Sequence, residues 1–372
     1  MSGMGLSSAH RLATQLGGVL PRSLAALHRS QDWSPLSGRG VRQVAEVALD
    51  ELVVTGMTLM SPPPRLARPV EDYAGVAAEL VDLGVAGVHR APEPLTVKNI
   101  RQVSAGVLSY ERMSYDHDPQ LVSALAVEGH DGPACAEVVL FRHDDAPRPW
   151  LVWVHGAGQG GMSDILVARV GRIHRELGFN VALPVQPGHG PRRDRWPAYP
   201  GTDPVANVAG MVRAVSEVRA VLGWIEADST TIGVSGLSLG SAVAALVAGL
   251  DDRVRAVALY TPILGLNGMI ARHLHRWGSA ADIVGAAMAS DIVSDLTSVI
   301  DPLALDPLPS PDRRLIVGAW HDQMAYRQSA LALHERWGGQ LYWHDGGHVG
   351  HLFSGAVQAQ TEQFLRALTQ AP

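Results

Sequence analysis

The sequence of 372 residues contains one cysteine, Cys135, and one lysine, Lys98, and only 5% of its residues are aromatic. A single cysteine excludes an internal disulfide and a cysteine-based zinc cluster. No apolar run approaches the roughly 18–20 residues that are needed to cross a bilayer. Polar residues interrupt the first thirty positions, which show no clean signal-peptide pattern, so we expect a cytoplasmic protein.

The charge balance also argues against some partners. The formal net charge is -6, from 30 Lys and Arg and 36 Asp and Glu, so no excess of basic residues points to nucleic acid. Hydrophobic residues make up 47% of the chain and charged residues 18%, a composition that excludes intrinsic disorder and allows a sizeable core. The length fits one large domain with an appendage, or two domains.

The hydrophobic pattern divides the chain into two parts. Residues 1–102 are predicted to form a mostly helical N-terminal extension: apolar positions recur at helical spacing in residues 41–60, the prolines of 61–69 end that helix, and 71–86 again favour a helix. We expect these helices to pack against the rest of the protein, because residues 41–60 have an apolar stripe to bury.

Residues 103–372 alternate predicted strands and helices, which indicates an α/β fold with a mainly parallel, eight-stranded sheet flanked by helices. Residues 264–310 interrupt this alternation and are expected to form a small helical lid insertion above the sheet. The eight predicted strands are 104–111, 134–141, 150–154, 180–185, 230–235, 255–260, 314–319 and 340–343. The predicted helices of this part are 162–177, 204–226, 239–249, 324–337 and 352–369.

The most informative motif is Gly236-Leu237-Ser238-Leu239-Gly240, between an apolar strand and a helix-forming stretch. This G-x-S-x-G pattern is typical of a nucleophile elbow, in which serine occupies a tight strand-to-helix turn and glycines relieve the crowding around it. The alternative is a glycine-rich turn of an ordinary doubly wound fold. We predict that Ser238 is a nucleophile.

A second motif follows the strand at 151–154, where the chain continues as His155-Gly156-Ala157-Gly158. Acyl transfer creates an oxyanion that needs backbone donors held in place beforehand. We expect the amides of Leu239 and Ala157 to form this oxyanion hole, with Gly158 second to Ala157, and His155 to brace the loop. A phosphate-binding loop is the alternative, but no Lys-Ser/Thr pair follows.

The candidate acid and base come later in the chain. Asp322, shortly after the strand at 314–319, can orient a histidine, although an aspartate before a helix can also serve as its N-cap. His348 follows two glycines and is the predicted general base, with His351 in reserve. A metal site at His344 and His348 is the alternative, which Gly346 and Gly347 disfavour because they interrupt a helix.

The order Ser238, Asp322, His348 is that of the α/β-hydrolase superfamily, which residues from about 103 to 372 resemble. The segment NVALPVQPGHGPRRD, residues 180–194, also resembles that family. The helical N-terminal extension and the insertion at 264–310 depart from its pattern. The resemblance implies hydrolysis of an ester, thioester or amide without a cofactor.

We therefore predict a serine hydrolase that cleaves a carboxylic ester through an acyl-enzyme, with a small-molecule acyl substrate and no metal. An acyltransferase, a thioesterase or a peptidase would use the same triad. A ligand-binding protein with an inactive site is the alternative from another class. The oligomeric state stays open, a homo-oligomer included. Arg192, Arg193 and Arg195 could meet an acidic substrate group or lie in a solvated loop.

Overall fold

The computed structural model describes residues 13–28, 34, 36–105, 108–126, 130–145, 147–195 and 198–369. Its strands are β1 (Thr96–Ala105), β2 (Leu108–His117), β3 (Ala134–Phe141), β4 (Arg148–Val154), β5 (Asn180–Pro184), β6 (Ser229–Leu237), β7 (Val254–Tyr260), β8 (Arg314–Ala319) and β9 (Gln340–His344). Its α-helices are α1 (Val19–His28), α2 (Gly38–Met60), α3 (Ala74–Val88), α4 (Ser123–Leu125), α5 (Ser163–Val167), α6 (Val170–Arg175), α7 (Pro204–Ile225), α8 (Leu239–Leu250), α9 (Leu266–Leu274), α10 (Asp282–Met288), α11 (Asp291–Thr297), α12 (Arg327–Trp337) and α13 (Gly355–Thr369).

Within the described residues, nine strands form one sheet in the order β1-β2-β3-β5-β4-β6-β7-β8-β9. The pairs from β1 to β5 are antiparallel, and β5, β4, β6, β7, β8 and β9 run parallel to one another. In such a sheet, the loops that follow the carboxyl ends of the parallel strands gather at one edge and form the ligand-binding crevice. The loops after β4, β6, β8 and β9 therefore lie at the same edge.

Apolar side chains cover both faces of the sheet. One core contains the helices α7 and α8, which are buried over most of their length, together with residues of α3 and α12. The other core contains residues of α5, α6 and α13. Burial on both faces explains why the central strands are continuous apolar runs, as in the Trp150–Val154 part of β4.

The sheet has one strand more than the sequence predicts. The predicted strand 104–111 is instead a hairpin, in which β1 pairs antiparallel with β2. β1 carries polar residues such as Lys98, Arg101 and Gln102 and is exposed at the sheet edge, so it lacks the apolar alternation of a half-buried strand. β1 also runs across residue 102, the predicted end of the N-terminal extension.

The N-terminal helices pack against the rest of the molecule. Ala77, Leu80 and Val88 of α3 share a core with Leu296 and Val299. α2 begins at an N-cap, where Ser37 accepts a hydrogen bond from the Gly40 amide, and ends before the prolines at 62–64. α2 also contacts the rest of the molecule, since its Asp50 accepts a hydrogen bond from the His348 amide. The expected packing of α2 and α3 is therefore confirmed.

Two of the predicted helices differ from the structure: one is split in two, and the other begins with a 3-10 turn. The predicted helix 162–177 is split into α5 and α6 at Arg169, which has a φ of 53°. The predicted helix 71–86 begins as a 3-10 turn at Val70–Tyr73 and continues as α3.

In the described part of the chain, no single helix is long and apolar enough to cross a bilayer. The bent pair Asp282–Met288 and Asp291–Ile300 has sufficient length and apolar composition only when its two helices are taken together.

Candidate active site

Ser238 lies on a strained turn between β6 and α8. Its backbone has φ 53° and ψ -117°, a conformation that non-glycine residues rarely adopt. The turn is closely packed: a Cβ on Gly236 would collide with the carbonyl oxygen of Gly240, and a Cβ on Gly240 with the carbonyl oxygens of Val154 and His155. Both glycines of the motif are therefore needed for the chain to turn here, as a nucleophile elbow requires.

Asp322 and His348 form a buried pair. Oδ2 of Asp322 accepts a hydrogen bond of 2.7 Å from Nδ1 of His348, and both side chains are at most 4% exposed. Oδ1 of Asp322 accepts hydrogen bonds from the amides of Met324 and Ala325, at 2.8 and 2.7 Å. Asp322 thus stabilises its own turn and bonds to the histidine, but it is not the N-cap of α12, which begins at Arg327.

The environment of His348 favours its protonated form. Burial lowers the pKa of His348, but the charge of Asp322, the hydrogen bond to Asp322 and the charge of Asp50 outweigh burial and hold the pKa above its ordinary value. The bond from Nδ1 to Asp322 leaves Nε2 as the ring atom that can take up a proton from another group.

Ser238 and His348 both contact one short segment, Tyr260–Thr261. The Ser238 amide donates to the Tyr260 carbonyl at 2.9 Å, and Nε2 of His348 lies 3.4 Å from Oγ1 of Thr261. Among the hydrogen bonds of the described residues, none joins the Ser238 hydroxyl to His348. Such bonds are often long in enzymes without substrate and shorten when substrate binds.

The loop after β4 lies against the serine turn. A Cβ placed on Gly156 would lie 3.3 Å from Cβ of Ser238, and Ala157 and Leu239 line the same cavity as Ser238. His155 braces this loop: its Nδ1 donates to the Gly156 carbonyl at 2.8 Å, and its Nε2 accepts from the Gln186 amide at 3.0 Å. The role expected for His155 is thus confirmed.

The two other histidines of this region have separate partners. Nδ1 of His351 bonds to the His348 carbonyl, and burial lowers the pKa of His351 to about 3. Nε2 of His344 bonds to Glu46 at 2.6 Å. Among the described residues, no group of three or more His, Cys, Asp or Glu side chains is arranged to hold a metal ion.

Sequence reasoning missed the contribution of α2. Oδ2 of Asp50 accepts hydrogen bonds from the His348 amide at 2.6 Å and the Gln323 amide at 3.2 Å, and Oδ1 accepts one from the Val349 amide at 2.9 Å. Glu46, one turn earlier, bonds to His344 and to the Gly347 amide. The sequence did contain a signal: Glu46 and Asp50 lie four residues apart and next to the apolar stripe of α2 that includes Val47 and Val54. Carboxylates in that position are wholly or partly buried when the stripe is buried.

The basic loop at 192–193 has a structural role at its first arginine. Arg192 is fully buried, and its guanidinium makes two hydrogen bonds to the Glu217 carboxylate, at 2.6 and 2.8 Å. Neither expectation for Arg192, a solvated loop or contact with an acidic substrate, is correct. An arginine is buried where a carboxylate can pair with both of its terminal nitrogens.

The sheet order and the serine turn define an α/β-hydrolase fold. Two solved structures are similar to the chain over most of its length. Acetyl xylan esterase 1 from Thermoanaerobacterium sp. JW/SL YS485 matches with a TM-score of 0.55 and 16% identity, over 83% of this chain and 96% of its own. The acetyl xylan esterase from Paenibacillus sp. R4 matches with a TM-score of 0.52 and 17% identity, over 82% of this chain and 96% of its own. The expected fold class is therefore confirmed.

The sequence relatives come from Mycobacterium tuberculosis. "Uncharacterized protein Rv2627c" of strain ATCC 25618 / H37Rv and "Uncharacterized protein MT2702" of strain CDC 1551 / Oshkosh are each 30% identical over 401 aligned positions, covering 96% of this chain and 94% of theirs. The chain belongs to the same family as these two proteins. No family model matches the sequence.

Proposed function

We propose that the protein is a serine hydrolase that cleaves carboxylic esters through an acyl-enzyme. The observation that carries this proposal is the buried Asp322–His348 pair. Nε2 of His348 contacts Oγ1 of Thr261 at 3.4 Å, and the neighbouring Tyr260 carbonyl accepts a hydrogen bond from the Ser238 amide. The titles of the two structural neighbours name esterases, which supports an ester as the substrate.

The reaction has two halves. The Ser238 hydroxyl attacks the acyl carbon while Nε2 of His348 takes its proton, and the protonated His348 then donates that proton to the departing alcohol. Asp322 holds the ring and stabilises its positive charge. A water molecule gives its proton to His348 and attacks the acyl-enzyme, which releases the acid and returns the proton to Ser238.

The oxyanion forms twice, once in each half of the reaction. In this proposal the amides of Leu239 and Ala157 donate hydrogen bonds to it. Leu239 begins α8, so the positive end of the helix dipole adds to the attraction for negative charge.

Covalent labelling tests this proposal directly. A fluorophosphonate probe should react once per chain, because the activated Ser238 oxygen displaces fluoride from phosphorus, and peptide mass spectrometry should locate the adduct on Ser238. The same sample should hydrolyse p-nitrophenyl butyrate, and the probe should abolish that activity. A folded sample that takes up no probe and hydrolyses no ester would contradict the proposal.

A further inference from the structure

A cavity of about 270 Å³ adjoins Ser238, and the N-terminal helix α2 supplies one of its walls. Val54 and Met57 of α2, with the prolines at 62–64, line one side. Leu266 and Ile270 of α9 are among the residues that line another. The cavity therefore lies between the segment that precedes the sheet and the insertion that follows β7, with Ser238 at its boundary.

The lining of this cavity carries no formal charge. None of the described residues that line it is an Asp, Glu, Lys or Arg. Its one histidine, His273, donates from Nε2 to the Met324 carbonyl at 2.9 Å, and burial lowers the pKa of His273 to about 4. The ring is therefore neutral at neutral pH, and among the lining residues that the structure describes a carboxylate would find no cationic side chain to pair with.

We propose that this cavity binds the acyl part of the substrate and takes an uncharged aliphatic chain of medium length. This inference rests on the proposed function, because Ser238 must attack the carbonyl at the mouth of the cavity. The volume lies just below the roughly 300–1,000 Å³ of pockets that hold drug-sized ligands. A long fatty acyl chain therefore exceeds the space, whereas an acetyl group leaves most of it unfilled.

A series of p-nitrophenyl esters tests the acyl site. For the native protein, kcat/KM should rise from acetate through butyrate to octanoate and fall for palmitate. A Met57→Trp substitution narrows the cavity and should lower the ratio of octanoate to acetate kcat/KM by about tenfold or more, since each buried methylene contributes to discrimination. Leu52→Trp is the matched control, because Leu52 is exposed on the same helix and the ratio should stay unchanged.

The outcomes separate the two proposals. A protein that labels at Ser238 and hydrolyses esters, but shows no preference for chain length and no effect of Met57→Trp, would overturn the acyl site alone. A protein that neither labels nor hydrolyses any ester of the series would overturn the proposed function.

A different observation concerns Asp50, which ties together the two loops that hold the acid and the base. Asp50 is fully buried, and its carboxylate accepts three backbone hydrogen bonds. One comes from Gln323, next to Asp322, and two come from His348 and Val349. A single side chain from α2 thus fixes the loop after β8 against the loop after β9.

The charged groups that most affect the pKa of Asp50 are Asp322 and His348. Burial and the charge of Asp322 raise the pKa of Asp50 to about 7, while the charge of His348 and the amides of Val349 and His348 oppose this rise. The other charged groups of this region have their own partners. They are Glu46, bonded to His344; Glu51, paired with Arg22 and Arg276; and Asp345, paired with Arg39 and Arg42.

We infer that Asp50 is a positioning residue of the proposed active site. Its three hydrogen bonds hold His348 in register with Asp322. In its ionised form, which dominates above its pKa of about 7, its negative charge also stabilises the imidazolium that forms when Ser238 loses its proton. This inference also rests on the proposed function, and it makes the N-terminal extension a part of the catalytic centre.

Asp50→Asn tests this inference, because asparagine has the same shape but no charge and one acceptor oxygen fewer. Loss of the negative charge lowers the pKa of His348, so the acidic limb of the kcat/KM profile should move to lower pH. Weaker stabilisation of the imidazolium should lower kcat by about tenfold or more, while KM stays within about twofold. The measurement is the pH dependence of p-nitrophenyl butyrate hydrolysis from pH 5 to 9.

Glu51→Gln is the matched control for Asp50→Asn. Glu51 follows Asp50 on α2 and is equally buried, but its carboxylate pairs with Arg22 and Arg276 and not with the His348 loop. This variant should lower the melting temperature without moving the acidic limb. Asp50→Ser, which keeps one acceptor oxygen, serves if Asp50→Asn does not fold. The role of Asp50 would be refuted if a folded variant with an uncharged residue at position 50 kept both the acidic limb of the kcat/KM profile and the kcat of an active native protein. That result would leave the proposed function intact.

Discussion

Replacement of Ser238 by alanine is expected to reduce ester turnover by on the order of 10⁵-fold, to the level left by substrate binding and the oxyanion donors alone. The hydroxyl is the only group at the elbow that can form the acyl-enzyme in the proposed mechanism. Alanine fits the turn, because the left-handed backbone of Ser238 already carries a Cβ. The measurement is kcat/KM for p-nitrophenyl butyrate, together with fluorophosphonate labelling.

Ser241 provides the matched control, since it is a serine of the same turn region and lies three residues after Ser238. Its hydroxyl donates to the Ser238 carbonyl and accepts from the Ile263 amide at 3.1 Å, so it supports the turn and does not face the reaction. Ser241→Ala should lower stability and still label at Ser238. Retention of native turnover by Ser238→Ala would show that another group performs the chemistry.

The second large effect is expected at His348, and a matched pair of asparagine variants distinguishes it from His351. In both variants the amide nitrogen of asparagine takes the place of Nδ1, which preserves the bond from His348 to Asp322 and the bond from His351 to the His348 carbonyl. Only the Nε2 end of each ring is lost. His348→Asn should lower kcat by about 10⁴-fold or more, because no general base remains for Ser238.

His351→Asn should retain turnover within about tenfold once its stability is taken into account. The His351 ring is buried and stacks on Tyr260 at 5.9 Å between centroids, and no hydrogen bond in the described part of the chain reaches its Nε2. A greater loss of kcat in His351→Asn than in His348→Asn, at equal folding, would reverse the assignment of the base.

The fold could be predicted largely because its strongest signals are local. Continuous apolar strands and helical periodicity predicted β3 to β9, and the helices α7, α8, α12 and α13, to within a few residues. The serine turn is also local, because Gly236 and Gly240 are required by backbone crowding on either side of Ser238. Chain order then pointed to Asp322 and His348, and the structure brings these two side chains within 2.7 Å of each other.

The features that the sequence did not reveal depend on contacts between distant residues. Asp50 lies 298 positions before His348. The local pattern of α2 places this carboxylate beside the apolar stripe, but it does not show which loop amides the carboxylate binds. Arg192 was misjudged for the same reason, because its partner Glu217 is 25 residues away on α7. β1 was not predicted because a polar edge strand buries neither face, so its sequence shows no alternation of apolar and polar residues.

The contribution of α2 has a consequence for how the protein is divided in practice. An excised unit that starts at the first strand would retain the proposed nucleophile, acid and base. It would leave three loop amides without their acceptor and open one side of the cavity to solvent. A truncation that keeps only the sheet and the elements after it would thus leave His348 mispositioned. The leading hundred residues belong in any expressed or engineered version of the enzyme.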